Sequence, residues 1–401
     1  MRICIVSTSF PRSKDDYAGV FVERLCSALV GAGLEVDVVA PDPSSAACAG
    51  SSVYGVYRFR YFFPRRLQRL AYGPGGIPAN LRRQPWLWAL VPCFLSAFFI
   101  KVLRVSRGAH LIHAQWVQTG LIAWLAGCFR GIPFVVTLRG SDAHFLETGR
   151  GAWGLFILRR AAMITTVNQG LRERLIARGI SGERVVFIRN GVDRQGPRPE
   201  RDVALPFRLL FVGSLLRLKG VHLLIDALGV LARSSREVRL ILIGDGEERA
   251  RLEERAKRAG VDAWVEFLGA RPPRQIPDWM SRSDCLVLPS LSEGTSNVVL
   301  EAMASGLPVI ASGIPGMREI VQDGISGFLI DPQNPRDLAE KVLKLAEDPA
   351  LCRSMGEAGR RGVAGSGWDA VAASYREVYQ KVCARGAAGA SLGDPQREGD
   401  L

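Results

Sequence analysis

The chain has 401 residues, 48% of them apolar and 23% charged, so it is long enough for two domains of roughly 200 residues each. Residues 1–199 carry 26 Lys and Arg against 11 Asp and Glu, whereas residues 200–401 carry 26 against 28. The formal charge of +13 therefore lies in the first half, which favours an anionic partner: a phosphorylated substrate, an anionic bilayer or a nucleic acid. The eight cysteines show no C-x-x-C and no zinc spacing, which argues against a metal or disulfide framework.

The first half alternates short β-branched apolar runs with stretches of helical period. This alternation predicts a parallel sheet covered by helices on both faces. The chain enters the first strand directly, without the three regions of a cleavable signal, so we expect a cytoplasmic protein. The predicted strands are Ile3–Val6, Val36–Val39, Leu111–His113, Phe134–Leu138, Met163–Val167 and Val185–Ile188.

The most apolar stretch is Trp86–Ile100, with fifteen residues, whereas a membrane span needs about 20. We expect it not to cross a bilayer and leave two alternatives open. It is either a buried helix pair of the first domain's core or a membrane-docking element flanked by Arg82, Arg83 and Arg104. Residues 43–141 contain 12 Lys and Arg and no acidic residue, so this region is expected to face an anionic partner.

The second half repeats the alternation after a proline-containing segment without apolar period, which predicts a linker at 196–206. We therefore expect an N-terminal domain over 1–195 and a second domain over 207–365. A last helix within 366–385 is expected to lie back on the first domain, and the Gly, Ala, Ser and charged tail 386–401 is predicted to be disordered. The predicted strands are Leu209–Val212, Leu240–Ile243, Val265–Leu268, Cys285–Leu288, Val309–Ala311 and Phe328–Ile330.

The loop Gly213–Gly220 connects a predicted strand to a predicted helix, Val221–Leu231. Ligands of doubly wound domains bind at the carboxyl edge of the sheet, where such loops lie. Backbone donors at a helix start, together with Arg217 and Lys219, are the parts of a phosphate site. The Walker spacing is absent, and the alternative is a plain turn with solvated cations.

A second loop precedes a predicted helix over Val298–Ala304. Glu293 lies before this helix and Glu301 within its first turns, while the free N–H groups of a helix start attract an anion. Carboxylates beside such a site are better placed to accept hydrogen bonds from neutral hydroxyls, as sugars supply. The alternative is that Glu293 assists capping and Glu301 is solvated. Three residues offer N-caps: Thr295, Ser296 and Asn297.

These segments resemble a retaining glycosyltransferase of family 4 with the two-domain GT-B fold. Its Glu-x7-Glu element matches Glu293 and Glu301 within "SEGTSNVVLEAMASGLPVIAS", and its second-domain opening matches "LLFVGSLLRLKGVHLLIDAL". Its first domain is echoed by "YAGVFVERLCSALVGAGLEVDVVAP", "GIPFVVTLRGSDAH" and "ERVVFIRNGVD". The resemblance covers about residues 3 to 382 and implies an α/β protein of two doubly wound, Rossmann-like domains facing across a cleft.

The resemblance also implies where a nucleotide diphosphate-sugar lies on the second domain. By its match, Lys219 contacts the diphosphate, Glu301 accepts from the ribose hydroxyls and Glu293 faces the donor sugar. Retention of configuration in this family is usually explained by front-face substitution, in which the leaving diphosphate takes the proton of the incoming hydroxyl. No metal and no cofactor is expected. Further donor contacts are implied for Ser214, Arg217, Gly294, Thr295, Ser296, Asn297 and the loop residue Arg271.

Two positions depart from the family pattern. Ser214 stands where many members have Arg, so Arg217 becomes the candidate for the second phosphate cation. Arg139 stands where many have a His that approaches the donor sugar; because a guanidinium stays protonated, we expect an electrostatic or hydrogen-bonding role there. On the acceptor side Gly19 matches the family's glycine loop, and Asp142 orients Arg139, contacts the acceptor or caps a helix.

The expected function is transfer of a sugar to a glycan or lipid-linked acceptor, in cell-surface polysaccharide or glycolipid assembly. The enzyme is expected at the inner face of the cell membrane, on an anionic surface, without nucleic acid. One alternative is an RNA-binding protein that uses Val53–Arg66, where aromatic residues interleave with arginines, although a strand and loop is the simpler account. Another is an inactive scaffold on the same fold, suggested by Ser214 and Arg139.

Overall fold

The computed structural model describes residues 1–43, 53–73, 76–140, 142, 151–193, 206–232, 234 and 237–391. The chain divides into two compact units. The first unit comprises Met1–Ser13, Ala18–Arg189 and the segment that begins at Asp369; the second comprises Lys14–Tyr17 and Asn190–Trp368. The boundary at Arg189 precedes the predicted domain end at 195, and the predicted linker 196–206 lies outside the described residues apart from Pro206.

The first unit contains, within the described residues, a parallel sheet of seven strands in the order β3-β2-β1-β4-β5-β6-β7. Ile3, Ile5 and Val6 of the central strand have no exposed area, because helices cover both faces of the sheet. The strands are β1 (Arg2–Val6), β2 (Glu35–Pro41), β3 (Gly55–Phe59), β4 (Leu111–Gln115), β5 (Phe134–Leu138), β6 (Met163–Thr166) and β7 (Val185–Phe187). The helices before the second unit are α1 (Val20–Gly31), α2 (Gly76–Arg83), α3 (Val91–Val105), α4 (Val117–Arg130), α5 (Gly151–Leu158) and α6 (Gln169–Ala177).

The second unit repeats this architecture with six parallel strands among the described residues, in the order β10-β9-β8-β11-β12-β13. Its apolar strands form the centre of a separate hydrophobic core. The strands are β8 (Phe207–Val212), β9 (Val238–Ile243), β10 (Val265–Gly269), β11 (Cys285–Leu288), β12 (Val309–Ser312) and β13 (Phe328–Ile330). The helices are α7 (Val221–Leu231), α8 (Arg249–Arg258), α9 (Ile276–Arg282), α10 (Asn297–Ala304), α11 (Pro315–Arg318), α12 (Pro335–Glu347) and α13 (Pro349–Val363).

Both sheets reverse their strand order at one point, between β1 and β4 in the first unit and between β8 and β11 in the second. Loops that leave neighbouring strands on opposite faces open a crevice at such a point, and ligands of doubly wound sheets bind there. The functional residues are therefore sought in the loops after these strands.

The last helix, α14 (Trp368–Ser391), packs on the first unit. The hydroxyl of Tyr379 lies 2.8 Å from Nδ1 of His113, and the hydroxyl of Tyr375 lies 3.1 Å from Oγ1 of Thr137. The helix continues to Ser391, beyond its predicted end at 385, and the predicted disorder of the tail stays a prediction. The rest of the predicted tail, 392–401, lies outside the described residues.

The apolar stretch around Trp86 is longer than the sequence indicated. A 3-10 turn continues into α3, giving one helical segment, Pro85–Val105, of 21 residues, in which a window of 18 residues has mean hydropathy 1.9. By length and composition this segment could cross a membrane. Its inner side nevertheless belongs to the core, where Phe98 stacks on Phe59 of β3 with ring centroids 4.5 Å apart. The side of the segment that carries Phe98 is thus buried in the core, as the alternative of a core helix predicted.

Candidate active site

Two strand-to-helix loops meet where the second sheet reverses its order. The loop after β8 forms a 3-10 turn, Arg217–Lys219, and passes through Gly220 into α7. The amide of Leu291, in the loop after β11, donates to the carbonyl oxygen of Leu218 over 2.8 Å. Gly220 has φ 69°, and a Cβ there would lie 2.0 Å from the carbonyl oxygen of Pro289, so the close approach of the loops requires glycine.

The contact between these loops is completed by an ion pair. Nζ of Lys219 donates to Oε2 of Glu293, and the two side chains are only 24% and 16% exposed. The sequence assigned each residue to the donor site separately, whereas the structure joins them directly. Because an ammonium group is a compact charge on a flexible stem, Lys219 can exchange this carboxylate for a phosphate oxygen without moving its backbone.

The ion pair lies next to the start of α10, which begins at Asn297, one residue before the predicted start. Ser296 is the N-cap residue and makes no capping bond with its side chain, so the first-turn amides are not satisfied by that hydroxyl. Oδ1 of Asn297 accepts a hydrogen bond of 2.8 Å from Nδ2 of Asn190. Gly294 and Thr295 are partly buried before the helix, and Glu301 is partly buried within it.

Close backbone contacts around this site were not anticipated from the sequence. A Cβ at Gly316, in α11, would lie 1.8 Å from the carbonyl oxygen of Gly294. A Cβ at Gly244, after β9, would lie 1.8 Å from the carbonyl oxygen of Gly213, next to the partly buried Ser214. The glycines were visible in the sequence, but only the packing shows that the two loops lie against other backbone segments.

Two cations assigned to the donor lie on the surface of the second unit. Arg217 is exposed on the 3-10 turn after β8. Arg271 is exposed in the loop after β10, two strands away in the sheet. Nothing in the structure decides whether either one contacts a nucleotide, so both assignments stay predictions.

In the first unit Arg139 follows β5 and is only 6% exposed. Its Nη2 and Nε donate to Oε1 of Gln115 over 2.5 and 3.2 Å, and its Cζ lies 4.1 Å from the ring centroid of Phe21. Burial lowers the pKa of Arg139 to about 10, which still leaves the side chain protonated at neutral pH. A permanent cation, held by an amide and an aromatic face, fits the electrostatic role expected of it.

The residues that hold Arg139 depend on two unusual backbone positions. Gly19 has φ 76°, and a Cβ there would lie 2.4 Å from the carbonyl oxygen of Ser9; it starts α1 and so places Phe21. Trp116 has φ 69° although it is not glycine, and its ring lies 5.8 Å from that of Phe21. Such strain persists only where surrounding contacts impose it, and it is frequent at functional sites.

Asp142 is fully buried and holds the Arg139 segment through the backbone. Its two carboxylate oxygens accept from the amides of Arg139 and Val117 over 2.8 and 3.2 Å. Burial raises the pKa of Asp142 to about 7, against the opposing effect of these bonds. These bonds favour orientation of Arg139 among the roles left open, and the bond to Val117 also satisfies an amide at the start of α4. The acceptor-side assignment of Asp142 stays a prediction.

A chain of buried polar groups continues from Arg139 to the last helix. Nε2 of Gln115 lies 3.2 Å from Nε2 of His113, whose Nδ1 is bonded to the hydroxyl of Tyr379. Burial lowers the pKa of His113 to about 3, so its imidazole is neutral. His113 therefore acts as a structural link in this chain. Gln115 and Tyr379 carried no recognisable signal in the sequence.

The residues of the proposed RNA-stacking segment are largely engaged inside the first unit. Phe59 and Tyr61 are buried in its core. Arg58 donates to the carbonyl oxygen of Pro41 and to the hydroxyl of Tyr72. Three other rings of the segment, those of Tyr57, Phe62 and Phe63, are exposed. The buried rings favour the strand-and-loop account, and the RNA-binding alternative stays a hypothesis.

Separately, among the described residues no group of three His, Cys, Asp or Glu side chains is arranged to hold a metal ion.

Comparison with known proteins follows the same division of the chain. A family profile described as "Glycosyl transferase 4-like domain" matches residues 18–191, and one described as "Glycosyl transferases group 1" matches residues 201–362. An uncharacterized glycosyltransferase of Methanocaldococcus jannaschii is 31% identical over 280 residues, which is 69% of this chain and 77% of the relative. The chain belongs to the group 1 glycosyltransferase family.

Solved structures share the fold. Sucrose-phosphate synthase of Thermosynechococcus elongatus has a TM-score of 0.76 at 24% identity and covers 96% of this chain and 99% of its own. HepE of Anabaena, solved with UDP-glucose, has a TM-score of 0.70 at 21% identity and covers 95% and 100%. The predicted GT-B fold of two doubly wound α/β domains is therefore confirmed.

Proposed function

We propose that this glycosyltransferase takes its sugar from a nucleotide diphosphate-sugar bound to the second unit and transfers it with retention of configuration. The observation that carries the proposal is the Lys219–Glu293 pair at the start of α10, where the second sheet reverses its order. A cation, first-turn amides and a carboxylate are thereby concentrated in one crevice. The presence of UDP-glucose in the structure of HepE supports a donor of this class.

The chemistry assigned to each residue follows from its charge. Lys219 and the first amides of α10 stabilise the departing diphosphate, while Glu293 and Glu301 accept hydrogen bonds from hydroxyls of the donor. The incoming hydroxyl attacks on the face that the diphosphate leaves, and its proton passes to a diphosphate oxygen. The positive charges of Lys219, and of Arg217 beside it, make the proposed step metal-independent, with Arg139 as an electrostatic group.

Isothermal titration calorimetry with UDP, GDP and ADP tests donor binding directly. We expect one of the three to bind the full-length protein, and its affinity to fall at least about 100-fold in Lys219→Ala/Glu301→Ala, since hydrogen bonds to charged groups contribute about 1.5–3 kcal/mol each. Lys344→Ala is the matched control, because it removes a cation of the same unit that packs over Phe328. No uptake of any nucleotide, or equal uptake by the double variant, refutes the proposal.

The reaction is tested with the sugar form of whichever nucleotide binds. Proton NMR of the glycoside product reads its anomeric configuration, and we expect this to equal that of the donor. Addition of EDTA is expected to leave the rate unchanged. An inverted product or loss of activity in EDTA contradicts the retaining or the metal-independent part of the proposal respectively.

We also propose a lipid-linked or otherwise anionic glycan as acceptor, handled at the inner face of the cell membrane during polysaccharide or glycolipid assembly. The support is the acid-free range 43–141 with its 12 cations. Assays that compare a membrane extract with water-soluble sugars as acceptors test this point. If transfer occurs to neutral soluble sugars alone, the lipid-linked acceptor is wrong. Retention of RNA by the purified protein with a steep salt dependence would instead favour the RNA-binding alternative.

A further inference from the structure

The outer side of the segment Pro85–Val105 is apolar but not covered by the fold. Only 28% of its apolar window is buried, although a core helix of a soluble protein is mostly buried. The large side chains exposed here, together with one on the neighbouring helix, are called the outer face: Trp86, Trp88, Leu95, Ile100 and Phe129.

Helical spacing separates Ile100 from the core side of α3, while Leu95 lies at the edge of that side. Phe94, Phe98, Val102 and Val105 are buried at intervals of four, four and three residues, which places them on one side of the helix. Ile100 lies opposite to that row. The outer side over the first turns of α3 therefore carries no charged residue.

Phe129 extends the face onto α4. Its ring lies 5.6 Å from that of Phe99 and is 72% exposed, so the two helices present apolar groups side by side. Contiguous apolar surface of this kind is uncommon on soluble proteins and marks an interaction site.

Cations border the outer face at the C-terminal end of α3. Arg104 follows Ile100 by one helical turn and is exposed. The guanidinium of Arg130, next to Phe129, donates to the carbonyl oxygen of Leu103 over 2.6 Å, which holds this charge at the end of α3.

The other border carries charge of the same sign. Arg82 is exposed at the end of α2, which precedes Trp86 in the chain. Since residues 43–141 contain no acidic residue, no carboxylate of this stretch offsets these charges.

We propose that the outer face docks on an anionic lipid bilayer, with Pro85–Val105 lying in the plane of the interface. Tryptophan rings and aliphatic side chains partition into the headgroup region, and flanking Lys and Arg attract anionic lipids. The basic border fits a bilayer better than an apolar protein partner, which would leave these charges without counterpart. The inference rests on the membrane placement proposed above and identifies the surface responsible for it.

Vesicle sedimentation of the full-length protein tests the proposal without any substrate. We expect binding to vesicles of phosphatidylglycerol and phosphatidylcholine, at least about tenfold weaker binding to phosphatidylcholine alone, and loss of binding at high salt. Brominated acyl chains are expected to quench tryptophan fluorescence in the wild type and to quench it less in Trp86→Phe/Trp88→Phe. Failure of the wild type to sediment with anionic vesicles at low salt overturns the proposal.

The variant Ile100→Asp/Phe129→Asp places two charges on the outer face and is expected to reduce vesicle binding at least about tenfold. Ile176→Asp is the matched control, because Ile176 is an exposed aliphatic residue on another helix of the same unit. Equal vesicle binding by the double variant and the wild type overturns the proposal. If the double variant fails to fold, Arg104→Gln replaces it, and unchanged vesicle binding of that folded variant counts against the proposal.

Nucleotide binding separates failure of this inference from failure of the proposed function. The variant Ile100→Asp/Phe129→Asp is expected to keep the wild-type affinity for the nucleotide, because the outer face belongs to the first unit. A protein that binds nucleotide but no vesicles refutes the docking surface alone. A protein that binds anionic vesicles but no nucleotide refutes the donor proposal and leaves the docking surface intact.

Discussion

The two units hold their functional cations in opposite ways. Arg139 in the first unit is 6% exposed and fixed by Gln115 and the ring of Phe21. Lys219 in the second unit is partly exposed and has Glu293 as its partner. A guanidinium with several fixed contacts is part of the structure, whereas an ammonium with one exchangeable carboxylate is available to a ligand. In the first unit Arg139 is thus a fixed part of the structure, whereas in the second unit Lys219 can change its partner and bind a ligand.

The comparison is tested most strongly by removing each cation. Lys219→Met is expected to slow sugar transfer about 100-fold and to lower the free energy of unfolding by about 1 kcal/mol, less than Arg139→Met, because Glu293 keeps some solvent contact when its partner is removed. Arg139→Met is expected to destabilise the protein by about 2–3 kcal/mol, because buried polar partners lose their hydrogen bonds. Urea unfolding and initial rates measure both. A large stability loss in Lys219→Met would show that Lys219 is as structural as Arg139.

The candidate site in the second unit also depends on close backbone contacts. Adding one methyl group at such a contact tests this dependence. Gly316→Ala is expected to destabilise the protein by about 1–3 kcal/mol and to weaken nucleotide binding, because its Cβ would lie 1.8 Å from the carbonyl oxygen of Gly294. Gly229→Ala is the matched control in a helix, where the nearest atom is 3.9 Å away. That control is expected to be neutral or more stable in thermal unfolding. Equal melting temperatures of Gly316→Ala and Gly229→Ala would mean that the loop of Gly294 shifts to accommodate the added methyl group without loss of stability.

In the first unit the segment of Arg139 is held by the side chain of Asp142 rather than by a close backbone contact. Asp142→Ala leaves the amides of Arg139 and Val117 without their acceptor and is expected to cost about 1–3 kcal/mol of unfolding free energy. Asp142→Asn keeps one acceptor oxygen but sets its NH2 group against the other amide, so it is expected to lose at least half of that amount and less than Asp142→Ala. Urea unfolding of the three proteins measures the difference. Identical losses in both variants would contradict a role as backbone acceptor.

The sheets were predictable because their strands are covered on both faces, which leaves continuous apolar runs such as Ile3–Val6. The edge strand Gly55–Phe59 carries a different pattern, with Arg58 and exposed Tyr57, and its segment was therefore open to the RNA interpretation. The end of α14 was difficult to predict because Gly, Ala and Ser dominate its last turns, a composition that also suits a disordered tail.

The site residues were predictable as types but not as partners. Lys219 and Glu293 lie 74 positions apart, and their pairing depends on how the loops after β8 and β11 approach each other. Gln115, at the end of β4, and Phe21, in the first turn of α1, contact Arg139 from two further elements of the first unit. Such contacts are properties of the sheet order and are not encoded in the spacing of any one motif.

The smallest net effect is expected in the response of the wild type to pH, because two buried groups of the first unit act in opposite directions. The pKa of His113 falls from 6.5 to about 3 on folding, so the unfolded chain binds the extra proton and His113 lowers stability as pH decreases below 6.5. The pKa of Asp142 rises from 3.8 to about 7, so the folded chain binds the extra proton and Asp142 raises stability over the same decrease.

The two contributions oppose each other between about pH 4 and pH 6.5, and single variants separate them. His113→Gln is expected to lose less stability on acidification than the wild type, and Asp142→Asn to lose more, each by up to about 1 kcal/mol per pH unit. Urea unfolding across this range measures the slopes. Parallel slopes for the wild type and both variants would show that neither buried group changes its protonation equilibrium on folding.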